Sequence, residues 1–431
     1  MSDLKLNSEF ETPSRQDWET LVKAGLKGLD IDTLVQETDD GLAKGPLSTR
    51  ADRPDALSFL PPTPSPLLAG RAWHICAPIR DADIAFANKQ LLDDLKGGAS
   101  ALDITLGEGA INLRHSADLK RLLEGVHTEL VPIRFTFSDV SASKIKEMTR
   151  LVLNLDELEN CVVNLGLDPV SSSYASETLD EGLFLPISLQ TDQLSLLCIN
   201  AAIVHDAGGS EAQELSYMAA SLAYYYRHYG PDIRLSVRLA ANQDAHLGIA
   251  KIRAARRILN RIAESFGAQS NIPIHSISAL RMMQTVDPWT NLLRIMTAGF
   301  GAIGGGAEYI TLRPFTDADT QSPRNATPFG YRIARNMQIM MMEESHLAQV
   351  QDAAYGSYFH ERMTEALAQT AWTEFQALES GGGIIEMLTS GIFQKSVQAA
   401  KANREAENKP ILGVTLHPAE NVRPAKFREN T

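Results

Sequence analysis

Four polar side chains interrupt runs that otherwise read as core: His205, Asp206, Arg238 and His275. His205 and Asp206 come just after the apolar run LSLLCINAAI at 194–203. A histidine beside a carboxylate is a pairing suited to proton transfer, the acid orienting the ring. A structural role stands beside it, because Ala207-Gly208-Gly209-Ser210 is a turn that leads into a helix N-cap. Arg238 and His275 lie inside the apolar runs at 233–240 and 272–278.

Other short patterns carry less. Gly299-Phe-Gly301-Ala-Ile-Gly304 matches GxGxxG, but a dinucleotide site needs a strand before the glycines and a helix after them, and here the order is reversed. These glycines are expected to serve close helix-to-strand packing and a tight turn at Gly304–Gly306. Asp244-Ala-His246-Leu-Gly248 is one residue short of the DxHxxG pattern that offers a histidine to cobalt, and it opens a helical segment, so Asp244 is expected to act as an N-cap. Along that helix Arg253, Arg257 and Arg261 recur every four residues and predict a solvated face paired with acidic neighbours. Met340–Met342 reads as adaptable core or interface filling. Cys76, Cys161 and Cys198 are far apart in apolar runs and read as reduced, buried thiols.

The elements that must position these groups are legible from periodicity. Apolar runs at 74–79, 101–106, 131–137, 160–167, 194–203, 233–240, 272–278 and 307–315 alternate with helical patterns such as 81–97, 141–155, 210–228, 245–266 and 289–303. Eight strands alternating with helices fit a closed (β/α)8 TIM barrel, with an open doubly wound sheet as the alternative. On the barrel reading His205 and Asp206 stand at the carboxyl end of the fifth strand, where such enzymes keep their active sites, and Arg238 and His275 face the interior or the mouth. The fourth connection is rich in serine and proline, so its helix is expected to be short or absent.

The chain divides into an amino-terminal, partner-docking arm (1–65), the barrel (66–325) and a helical extension with a polar tail (326–431). The arm holds one short amphipathic helix carrying Trp18, Leu21, Val22 and Leu26, then the cluster Pro61, Pro62, Pro64 and Pro66. Helical patterns continue at 328–350, 360–380 and 384–402. With 44% apolar residues among 431 the chain can bury a large core, and its net charge of −13 argues against nucleic acid or an anionic membrane as partner. No apolar stretch is long enough to span a bilayer, and the acidic start MSDLKLNSEF is unlike a signal or transit peptide, so a cytoplasmic location is expected.

Longer stretches carry a resemblance. IAKIRAARRIL at 249–259, TVDPWTNLLR at 285–294, GAIGGGAEYITLRPF at 301–315, YRIARNMQIMMMEES at 331–345, the segment 351–383 and HDAGGSEAQEL at 205–215 resemble the methylmalonyl-CoA mutase family. So does the pattern of Trp18, Leu34 and Asp40-Gly41 ahead of Pro46-Leu47. The family's adenosylcobalamin-dependent isomerases thread acyl-CoA through a (β/α)8 barrel, which the resemblance implies here as well.

The departures shape what is expected of this chain. Leu68 stands where the resemblance places a catalytic tyrosine, and Ile203 where it places the histidine that bonds the migrating thioester, while His205 resembles the HDAG form of the noncatalytic small subunit. The QNDxxKE segment after the fourth strand has no counterpart in 168–193, and Ile277 replaces a glutamine two residues after His275. Polar groups aimed at developing charge are the main source of catalytic stabilisation, so their loss implies no catalytic residue in this chain. ILGVTLHPAEN at 411–421 resembles the exit from the barrel, beyond which a catalytic chain continues to a cobalamin domain that is not expected here.

The resemblance therefore implies a small, noncatalytic subunit that binds neither cofactor nor metal and pairs as a heterodimer with a larger catalytic chain holding adenosylcobalamin. Its arm is expected to embrace that partner. Two alternatives stay open: the acyl-CoA-binding barrel of a split mutase with a separate cobalamin subunit, and a non-enzymatic acyl-CoA binder or assembly factor. An axis filled by Leu68, Ile203 and Ile277 would separate the first reading from the others.

Overall fold

The computed structural model describes residues 13–61, 71–107, 109–138, 141–155, 158, 160–270, 272–318, 326–418 and 420–426. The arm begins with α1 (Arg15–Gly25), closed at its start by a reciprocal cap: Asp17 N–H donates to Ser14 Oγ, and Ser14 N–H donates to the Asp17 carboxylate. No residue of α1 is buried, and Leu21 is 74% exposed. Beyond it, Gln36–Glu37 and Ala43–Lys44 pair as a short antiparallel ladder.

The apolar runs become parallel strands: β1 (His74–Ile79), β2 (Ala101–Gly107), β3 (Ile133–Ser138), β4 (Val163–Leu167), β5 (Leu194–Asn200), β6 (Leu235–Ala241), β7 (Ile274–Ser278) and β8 (Tyr309–Thr311). Each pairs with the next, and β8 pairs with both β7 and β1, so the sheet closes and the open-sheet alternative falls. Alternation sends Leu102, Ile104, Leu106, Ile133, Phe135, Val237 and Leu239 outward against the helices, where all are buried. Each such side chain contributes roughly 1.5–3 kcal/mol on leaving water. The ladder of β8 covers less than its apolar run, ending at Thr311.

The connections are α2 (Ile84–Lys96), α3 (Ser116–Leu122), α4 (Ala142–Leu153), α5 (Pro169–Ser176), α6 (Ala202–Asp206) leading into α7 (Glu211–Tyr229), α8 (Ala245–Phe266) and α9 (Asn291–Gly305). The helix of the fourth connection, α5, is indeed short, and α6 takes the end of the fifth apolar run, so Ile203 lies on a helix instead of a strand, with His205 on the same helix. Asp244 caps α8 by accepting from Leu247 N–H at 3.1 Å. The extension follows as α10 (Pro328–Glu343), α11 (Tyr358–Ser380), α12 (Ile384–Thr389) and α13 (Ile392–Ala406). The single helix expected over 384–402 is broken at Ser390-Gly391, where Gly391 turns left-handed with φ +69°.

Two expectations change. The glycines of α9 fit against a helix more than against a strand: a Cβ on Gly301 would lie 3.0 Å from the Ala245 carbonyl oxygen, and one on Gly305 would lie 2.6 Å from Ile252 Cβ, both on α8. The arginine row of α8 is a solvated face only in part: Arg257, half-exposed beside Glu365, and Arg261, beside Glu264, meet solvent, but α11 packs over Arg253, and the neighbouring charges Lys251 and Arg256 are buried in pairs. Arg253 is fully buried between Asp352 and Glu361, Lys251 pairs with Glu214 at 2.6 Å and Arg256 with Glu308 at 2.6 Å. The three cysteines are free and buried, Met341 and Met342 are buried, and no helix among the described residues is long and apolar enough to cross a membrane.

The register shifts between Asn164 and Leu167, where Gly166 has φ +68° and its missing Cβ would stand 1.8 Å from the Phe135 carbonyl oxygen. Gly267 shares the left-handed conformation at φ +70° but has open space around it. Gly267→Ala is therefore expected to cost only the backbone strain, about 1–2 kcal/mol, while Gly166→Ala adds a clash with strand backbone and loses clearly more. Urea unfolding of the two variants checks the order.

Candidate functional site

Inside the barrel the strands carry charge. Asp103 on β2, Arg134 on β3, Arg238 on β6 and His275 on β7 all point to the axis and are at most 6% exposed. In an eight-membered ring β2 stands opposite β6 and β3 opposite β7. The Arg238 Nη2–Asp103 Oδ1 ion pair spans the first diameter, and a 3.2 Å hydrogen bond from Arg134 Nε to His275 Nδ1 spans the second. The two links are tied together: Arg238 Nη2 lies 3.2 Å from His275 Nδ1, and Thr311 Oγ1 is 2.7 Å from His275 Nε2 and donates to Asp103 Oδ2 at 3.0 Å. Because Arg134 donates to Nδ1, the network assigns the proton to His275 Nε2, which donates to Thr311.

Burial alone would raise the Asp103 carboxyl, but Arg238, His275 and Thr311 overcome it and hold the group well below the usual carboxylate range. His275 goes the other way. Burial, reinforced by the Arg238 guanidinium, drives its pKa well below the ordinary value and keeps the ring neutral. Two guanidiniums against one carboxylate leave one net positive charge. Arg134 spreads its share over Ser236 Oγ at 2.6 Å and the Tyr309 ring, whose centroid is 4.6 Å from its guanidinium carbon.

Below this layer, at the amino-terminal ends of the strands, is a cavity of about 810 Å³ whose lining includes Arg134, Asn164, Ser195, Ser236 and Tyr309. Asn164 Nδ2 donates to Ser195 Oγ at 2.7 Å and reaches Ser236 Oγ at 3.2 Å. This is the end opposite to that where barrel enzymes keep their chemistry.

The carboxyl end holds the other candidates. His205 is fully buried in α6, with Nε2 3.4 Å from a Glu211 oxygen and Nδ1 3.9 Å from Asp206. Asp206 accepts from Leu280 N–H at 3.0 Å and so anchors the loop after β7. Burial pushes the Asp206 carboxyl up, but the His205 ring and Arg313 outweigh it and the net shift is downward. Arg281 donates to the carbonyls of His205 and Gly209, and the arm reaches this rim: Asp39 lies 3.7 Å from Arg281 and 3.4 Å from Arg404, while Asp40 accepts from Ala212 N–H at the start of α7.

The structure thus brings Arg238 and His275 together and leaves His205 and Asp206 in a separate cluster that clamps loops. Ile203 is half-buried on α6, Ile277 is buried on the same face of β7 as His275, and Leu68 lies outside the described residues. Asp103, Arg134 and Thr311 complete this interior network, and sequence reasoning missed them. The available signal was a charge in the middle of an apolar strand, ALDITL or VPIRFTF, the same signal that marked Arg238 and His275.

Fold and interior together define a (β/α)8 barrel closed across its axis by side-chain charge, with helical layers and an arm added outside. The family model of methylmalonyl-CoA mutase matches residues 182–428, more than half of the chain. The methylmalonyl-CoA mutase small subunit of Streptomyces virginiae is 32% identical, covering 98% of this chain and 73% of that protein. The small subunit of Propionibacterium freudenreichii subsp. shermanii is 29% identical over 96% of this chain and 70% of its own. The probable small subunit of Mycobacterium tuberculosis (strain ATCC 25618 / H37Rv) is 33% identical over 70% of this chain, which spans about half of that relative, 51%. The chain belongs to the methylmalonyl-CoA mutase family.

Removing the carboxylate from the axis would strand two buried cations. Asp103→Ala is expected to cost about 3–5 kcal/mol in urea unfolding at pH 7, and the pair Asp103→Leu with Arg238→Met to recover most of it. The folded pKa of Asp103 is below its unfolded value near 3.9, so its contribution is present above that pH and is lost as pH falls through the folded value. The gap between wild type and Asp103→Ala should therefore narrow below about pH 4.

Proposed function

We propose that this chain is the small, noncatalytic subunit of a methylmalonyl-CoA mutase, working in the cytoplasm. The larger partner of the heterodimer carries the adenosylcobalamin-dependent isomerisation of methylmalonyl-CoA and succinyl-CoA. The observation that supports this reading is the crossing of the axis by Arg238–Asp103 and Arg134–His275. A thioester threaded through the barrel would need the space these four side chains fill. Displacing them would strand buried charge at a cost of several kcal/mol per ion.

Adenosylcobalamin, when bound to the partner, supplies the radical that starts the isomerisation. The residues of this chain that most resemble a cobalt-binding motif do not fit the role: the pattern is one residue short of DxHxxG, and Asp244 is engaged as the cap of α8 by Leu247 N–H and by Lys44. What this chain does, on this reading, is present a rigid barrel and an arm to the partner. The arm (1–65) docks on it, the barrel (66–325) supports it, and the extension (326–431) braces the barrel from outside. The unburied apolar face of α1, with Leu21 at 74% exposure, supports such docking.

The isolated chain, supplied with adenosylcobalamin and methylmalonyl-CoA, is expected to show no turnover. Tagged and recovered from its native cells, it should bring down a longer mutase chain, and the complex should isomerise the substrate. Turnover by the isolated chain, or recovery of the chain alone alongside a mutase that is active without it, would overturn the proposal.

A further inference from the structure

Outside the barrel axis and its mouth, a pair of histidines is brought within hydrogen-bonding distance. His246 is on the first turn of α8 and His360 on the first turn of α11, 114 residues apart in sequence, with His246 Nδ1 3.1 Å from His360 Nε2. We propose that they form a site for a divalent transition-metal ion, Zn²⁺ or Cu²⁺, that ties α8 to α11 beside the docked arm.

The geometry carries the proposal. Two nitrogens bound to one tetrahedral zinc at about 2.0–2.1 Å are separated by roughly 3.3–3.4 Å, so the pair stands within a few tenths of an ångström of chelating distance. His360 is also oriented. Its Nδ1 is 2.9 Å from Ser357 Oγ, and with the proton on Nδ1 the Nε2 lone pair aims at His246. To chelate, His246 moves its proton to the outer nitrogen and both rings tilt so that the two lone pairs converge on an ion beside the N···N line. The His246 ring is held edge-on by Phe359, with centroids 5.9 Å apart.

The backbone beneath the pair is fixed. Glu361, next to His360, is buried against Arg253 of α8 at 2.9 Å and accepts from Gly356 N–H at 2.9 Å, so the two helix starts cannot drift apart. His246 is exposed, which leaves the pair open to an ion from solution. Imidazole pairs select Zn²⁺, Cu²⁺ or Ni²⁺ over Mg²⁺ and Ca²⁺, which demand oxygen ligands. Among the described residues no third histidine, cysteine or carboxylate joins the pair, so water completes the coordination. The site adjoins the arm: Arg362 Nη1 donates to the Ala43 carbonyl at 3.1 Å and Lys44 pairs with Asp244, the cap of α8.

The test is calorimetric titration of Zn²⁺ into the untagged, metal-stripped full chain, with Cu²⁺ electron paramagnetic resonance beside it. One ion per chain, a raised melting temperature and a copper signal split by two nitrogens are expected. His246→Ala and His360→Ala should each weaken binding at least about tenfold, while His127→Ala, at a distant exposed position, should leave it unchanged. Unaltered circular dichroism of the metal-free variants shows that the fold survives, and should His360→Ala misfold, the exposed His246→Ala decides alone. No saturable binding by wild type, or binding that persists in His246→Ala, overturns the proposal.

Discussion

The Arg238–Asp103 ion pair crosses the barrel from β6 to β2, and the interior of the molecule is arranged around it. Closing eight parallel strands into a ring leaves an axis lined by every second side chain, which must be packed or left open. Here it is packed with charge. A buried ion pair is a poor source of net stability, since desolvation consumes much of the attraction, yet once built it cannot lose one member cheaply. That asymmetry explains the supporting cast of Thr311, Ser236, His275 and the Tyr309 face, each supplying a hydrogen bond or ring to a charge already out of water.

The same logic governs the outer layer. Lys251, Arg253 and Arg256 of α8 are buried only because Glu214, Asp352, Glu361 and Glu308 arrive from α7, the loop before α11, α11 itself and the residue before β8. Helical extension and barrel are therefore joined by specific charge pairs as well as by apolar packing. The arm is attached by polar and apolar points together. Asp39 and Asp40 reach the carboxyl rim, Lys44 the cap of α8, the Ala43 carbonyl Arg362 and Leu60 N–H Asp352, while the Leu60 side chain is buried and Leu42 packs against the core. An arm with an uncovered apolar helix at its start suits a segment that gains its remaining partners from another chain.

Much of the fold was legible because parallel strands buried on both faces and amphipathic helices leave plain periodicities, and all eight apolar runs became strands. The boundaries that failed have local causes. Helix α6 grew from the end of the fifth run, where Ala201 adopts helical backbone, and Gly391 broke the last long helix. The site was half legible. Arg238 and His275 stood out as polar groups in apolar strands, but their meaning depended on Asp103 and Arg134, which periodicity gives no reason to pair across a ring. Arg253 was misjudged for a related reason: it shares the spacing of the solvated Arg257 and Arg261, and nothing in that stretch tells that α11 lies over it.

The account rests on the axis being closed to a threaded thioester, and calorimetric titration of succinyl-CoA into the isolated chain tests that most directly. No saturable heat is predicted for wild type. Stoichiometric binding of one acyl-CoA per chain, weakened when Arg238 is replaced, would contradict it and return the barrel to the acyl-CoA-binding members of the family.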